Sequence, residues 1–155
     1  MAAADFDGDG ATDLAIAGSY GVPPEMIWGS KTRQLAAVPI PGSPTGVCLL
    51  ATDVDGDGLP DLVNTCYAAD VFLNRGGRTF QKIYSFSSNL DMWTSIAADM
   101  NGDGKPDIVS VAGNPRGLAV FVNQISPWAA IIGEPLLSSI RRSCDDYSQL
   151  LAWHK

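Results

Sequence analysis

Histidine is nearly absent from this chain of 155 residues: there is one, His154, next to the last residue. That leaves little for Ser-His-Asp or Cys-His catalysis to work with. Lysine and arginine number only 10, and they form no stripe, so a nucleic-acid surface is excluded. No phosphate-binding Gly-rich loop with a lysine occurs. No run of 18 apolar residues exists, so no membrane-spanning helix is expected. The start, Met1-Ala-Ala-Ala-Asp5, lacks the charged and apolar regions of a secretion signal. Either a leader has been removed, or the chain starts inside a longer protein.

Cysteines number three. Cys48 and Cys66 flank one acidic segment at equal distances. If that segment closes a hairpin they face each other, either as a cross-strand disulfide or as two buried thiols. Cys144 is left over.

What the chain does have is aspartate, glycine and proline. It carries 16 glycines and 10 prolines, fitting a turn-rich β protein. Hydrophobic residues make up 46%, enough for a folded core in one domain. The net charge is −7, and 11 of the 17 acidic residues fall in three short segments. Those segments share one pattern. Asp5-Phe-Asp7-Gly-Asp9-Gly-Ala11-Thr-Asp13 is the first. Asp53-Val-Asp55-Gly-Asp57-Gly-Leu59-Pro-Asp61 is the second. Asp99-Met-Asn101-Gly-Asp103-Gly-Lys105-Pro-Asp107 is the third. Their first aspartates are 48 and 46 residues apart. Near-constant spacing makes each segment part of a repeating unit.

Side-chain oxygens at positions 1, 3, 5 and 9 of each segment repel one another unless a cation sits among them. Position 7 (Ala11, Leu59, Lys105) has no useful side-chain oxygen, so its backbone carbonyl is the expected ligand. Calcium takes six to eight oxygens in a forgiving geometry, whereas magnesium is stricter and zinc prefers sulfur or nitrogen. About three calcium ions are therefore expected, and they would leave a net charge of about −1. Glycine at position 6 permits the sharp turn. Asn101 and the nearby Lys105 make the third loop the expected weakest site.

An EF-hand begins in the same way but needs a glutamate at position 12 and flanking helices. Position 12 here is Ile16, Asn64 and Ser110. The following runs, such as Leu62-Val-Asn-Thr and Ile108-Val-Ser-Val, read as strands. Each repeat holds up to four short strands: one before the acidic loop, one after it, a third ending at Trp28, Asn74 or Asn123, and a fourth at 34–40 or 80–84. Four antiparallel strands per repeat are the mark of a β-propeller blade. The fold expected is all-β, with about three blades in an incomplete ring, Trp28 and Trp93 in the core, and self-association or docking to missing blades through the open faces.

The loops, together with Val71-Phe-Leu-Asn-Arg-Gly-Gly-Arg-Thr-Phe80, resemble the FG-GAP and VCBS repeats of integrin α-like β-propellers. The resemblance covers about residues 3–124. It implies calcium in the hairpin loops, an extracellular setting, and a non-catalytic role in adhesion, in protein or glycan recognition, or as an accessory part of a secreted hydrolase. The divided layout is then 1–124 for the blades and 125–155 for a divergent tail. In the tail Leu137, Ile140, Cys144, Tyr147 and Leu151 fall at helical spacing, predicting a helix over 136–153. A non-native continuation of the reading frame is the other reading. Calcium loops occupy one face of such a meander. On the opposite face Tyr20 and Tyr67 either meet a ligand or cover blade edges.

Overall fold

A computed structural model describes residues 1–19, 22–30, 35–42, 48–65, 68–87, 91–113, 116–125 and 140–143. Among the described residues twelve strands form three four-stranded antiparallel sheets, each a simple meander. The first blade holds β1 (Ala2–Ala4), β2 (Asp13–Ile16), β3 (Glu25–Ile27) and β4 (Ala37–Pro39). The second holds β5 (Cys48–Thr52), β6 (Asp61–Thr65), β7 (Ala68–Asn74) and β8 (Phe80–Ser87). The third holds β9 (Met92–Ala98), β10 (Asp107–Gly113), β11 (Arg116–Asn123) and β12 (Ile140–Ser143). These are propeller-type blades, and they form no closed ring among the described residues.

The blades stack through their first strands, β1 against β5 and β5 against β9. The second blade is therefore covered on both sides, and every residue of β6 is buried. Side chains alternate between the two interfaces. Leu62 and Phe72 pack toward the first blade against Phe6, Ala15, Met26 and Ile40. Val63, Val71 and Leu73 pack toward the third against Met92, Ile108, Ala119 and Phe121. Burying each large apolar side chain stabilises the stack by about 1.5–3 kcal/mol.

Two expectations, the tail helix and the core placement of Trp93, change at this level. The tail does not continue as a helix at 140–143. There the chain runs antiparallel to β11, with Asn123 opposite Ile140, and supplies the third blade's outer strand. A hydrogen-bonding edge on β11 competes with helical periodicity, and at these residues it wins; the rest of 136–153 lies outside the described residues. Cys48 lies opposite Thr65 and is a free, half-buried thiol. Cys66 lies outside the described residues. Trp93 is 65% exposed rather than core. The register between β9 and β10 slips there: Thr94 faces Val111 and Met92 faces Ala112. Trp93 is the extra residue, so the slip turns Met92 inward and Trp93 outward. Trp28 is half-buried and stacks on Phe80 as expected of a packed ring.

Candidate metal centre

Each acidic segment is a hairpin loop joining the first and second strands of its blade. All three loops fold alike because the aspartates hydrogen-bond their own backbone. The position 1 carboxylate accepts from the amides at positions 4 and 6: Asp5 from Gly8 at 2.8 Å and Gly10 at 2.9 Å. Asp53 accepts likewise from Gly56 and Gly58, and Asp99 from Gly102 and Gly104. The side chain at position 3 accepts from the amide at position 5, and position 5 accepts from position 7. The chain curls around its own carboxylates, which requires positive φ at positions 4 and 6. Gly8 and Gly10 lie at φ 77° and 82°, and the other two loops match them.

The position 9 aspartates have a second job that their spacing did not reveal. Asp13, Asp61 and Asp107 are completely buried. One oxygen of each accepts from the amide at position 2 of its own loop: Phe6, Val54 or Met100. The other accepts from an amide at the end of the third strand: Gly29 at 2.6 Å, Asn74 at 2.8 Å or Asn123 at 2.7 Å. Each carboxylate thus ties the acidic loop to the far side of its blade. Burial pushes the Asp61 carboxyl up to about 7, the two amide hydrogen bonds opposing the shift. Burial also raises Asp55, whereas Arg78 beside Asp7 and the loop amides around Asp99 hold those two below the ordinary carboxylate value.

Asn74 and Asn123 carry the stack from blade to blade. Asn74 Nδ2 donates to the Phe6 carbonyl of the first loop at 2.7 Å. Asn123 Nδ2 donates to the Val54 carbonyl of the second loop at 2.8 Å. Both side chains are buried. The repeated Val-Phe-x-Asn ending of the third strand is the sequence signal that marks them. In the first blade Gly29 takes this place, and a Cβ there would run into the Thr12 carbonyl.

The loops differ in how their carboxylates gather. Oxygens of Asp5, Asp7 and Asp13 lie within 4.8 Å of one another in the first loop, and those of Asp53, Asp55 and Asp57 do so in the second. Among the described residues no third trio gathers, since Asn101 replaces an acid in the third loop. Asp9 and Asp103 are exposed, each with an oxygen on the next loop amide but one. Lys105 does not turn its charge onto the third loop; its Nζ donates to the Ile125 carbonyl at 2.8 Å. Oxygen-only donors clustered at this distance suit a hard divalent cation. Asp5, Asp7 and Asp13, and Asp53, Asp55 and Asp57, are the side chains that would hold it. Tyr20 and Tyr67 lie outside the described residues.

The FG-GAP-like repeat profile matches residues 5–64 and again 53–110. The chain belongs to the FG-GAP-like repeat family. Each match runs from one acidic loop through the hairpin of the next, so the family's unit and the blade-to-blade contact just described coincide. No curated protein and no solved structure matches the chain.

Proposed function

We propose that this FG-GAP-like repeat chain is a calcium-stabilised, non-catalytic recognition module. The observation that carries the reading is the gathering of three carboxylates within 4.8 Å in each of two loops. Anions so placed repel one another, and a bound divalent cation converts that repulsion into cross-linking of the hairpin. The loop is joined through Asp13 or Asp61 to the far strand of its blade, so stiffening the loop stiffens the blade.

Recognition of a protein or glycan outside the cell follows from family kinship, which favours extracellular proteins. Association through an open blade face has its own support. Phe6 and Val54, at position 2 of the first two loops, are 0% and 5% exposed beneath the following blade, whereas Met100 is 51% exposed. Ile96 and Val111 are exposed on the same blade. A second copy or further blades would cover them. An accessory role inside a larger secreted hydrolase is the alternative.

Titration calorimetry with calcium tests the core of the reading, with at least two binding events expected; no heat at millimolar calcium would refute it. A glycan array with and without chelator, alongside sedimentation with calcium present, then separates a sugar-binding module from an assembling one.

A further inference from the structure

The first loop differs from the others in what touches its position 3 carboxylate. Arg78, on the second blade, donates from Nε to Asp7 Oδ2 at 2.7 Å. The Asp7 side chain is almost fully covered in this pair, while half of Arg78 stays in water. Three features aim Arg78 there. Its backbone lies at φ 66°, the only positive φ among described residues other than glycine. That conformation follows Gly76 and Gly77, also at positive φ, in the turn closed by Arg75 and Thr79. Its guanidinium lies over the Trp28 ring of the first blade, 4.9 Å from the centroid. Trp28 in turn stacks on Phe80, and Phe80 meets Phe6 edge-on beside Asp7.

Among the described residues the other loops lack this arrangement. Asp55 is approached by Arg75 of its own blade, at a looser 3.6 Å. Asn101 carries no charge to attract a cation. A side chain in a disfavoured backbone conformation, reaching across a blade junction onto a carboxylate, calls for a reason.

We infer that Arg78 is a built-in competitor for the metal at the first loop, so that calcium uptake there and the Arg78–Asp7 contact between blades oppose each other. This rests on the calcium reading above. Arginine keeps its charge at every accessible pH, so a divalent ion at Asp7 meets a second cation on the same carboxylate. Coupling of this kind is reciprocal: whatever Arg78 takes from calcium affinity, calcium takes from the grip of Arg78 on the first blade. The first loop thereby becomes the one whose loading reports to a blade junction.

The test is a calcium titration of the full chain followed by amide NMR. Gly10, Gly58 and Gly104 each bond the first aspartate of their own loop, so they report the three loops separately. In Arg78→Gln the Gly10 midpoint should fall on the order of two- to fivefold, the range expected for losing an exposed charge pair. Gly58 and Gly104 should keep theirs. Arg78→Lys retains the charge and should stay near the wild type. A Gly10 midpoint that is unchanged or raised in the glutamine variant overturns the inference, as does a lysine variant that shifts equally. The wild type supplies a check free of substitution: the Arg78 Nε–H resonance should move together with Gly10, and a stationary resonance overturns the inference. If calcium moves Gly58 and Gly104 but Arg78 proves irrelevant, the calcium reading survives alone; if no loop glycine moves, both fall.

Discussion

Removing the Asn74 side chain attacks the joint between the first two blades and leaves every carboxylate of the acidic loops in the chain. Asn74 is completely buried. Its amide donates to the Phe6 carbonyl at 2.7 Å and to the Pro60 carbonyl at 3.1 Å, and its oxygen accepts from Gly76 N at 3.0 Å. In Asn74→Ala the Phe6 carbonyl is stranded under the stack, at a cost of about 1–3 kcal/mol. Pro60 and Gly76 lie at the edge of the joint, where water replaces part of what they lose. A total loss of about 2–5 kcal/mol follows, a large share of the 5–15 kcal/mol typical of a domain. Asn74→Asp should be worse at neutral pH, because it aims a carboxylate at two carbonyls. Urea unfolding in chelator, followed by tryptophan fluorescence, measures both. A cost below about 0.5 kcal/mol, or an aspartate tolerated as well as the native residue, would refute the claim that this amide locks one repeat to the next.

Other perturbations reach different parts of the structure. Asp61, ordinarily titrating near 3.8, is held near 7 when folded, so the folded chain keeps a proton that the unfolded chain gives up between those values. Ion-free stability should therefore fall as pH rises from about 4 to 7, and Asp61→Asn should flatten that fall in denaturation curves run across pH. Asn101→Asp gives the third loop the fourth acid that the other two loops have, and calorimetry should show an added or tightened calcium event. Ile96→Lys places a charge on the exposed outer face of the third blade; if that face mediates association, sedimentation should shift toward the monomer, with no change in the melting curve of the monomer itself.

Much of this architecture was readable in the residues, and the reason is local. The turn of each acidic loop is set by bonds from the carboxylates at positions 1, 3 and 5 to amides of the same nine residues, so the aspartate and glycine pattern specifies that turn. β9 runs Met92–Ala98, ending where the third acidic loop begins, as the strand expected before that loop should. What escaped detection depends on distant partners. Three alanines made poor material for a strand, yet β1 exists because β2 pairs with it and β5 packs against it. β12 depends in the same way on the free edge of β11. The exposure of Trp93 follows from a one-residue slip that hydrophobicity cannot reveal. The spacing marks Asp13, Asp61 and Asp107 only as ligands, since nothing in it says that both oxygens are engaged by backbone amides.

Thermal unfolding of the chelated chain, repeated at rising calcium, puts the central claim at risk most directly. A site filled at ten times its dissociation constant adds about 1.4 kcal/mol, so the two gathered sites add about 3 kcal/mol and raise the midpoint by roughly 6–12 °C. Magnesium at equal concentration should do much less. A midpoint that stays within a degree of the chelated value up to millimolar calcium would contradict the account.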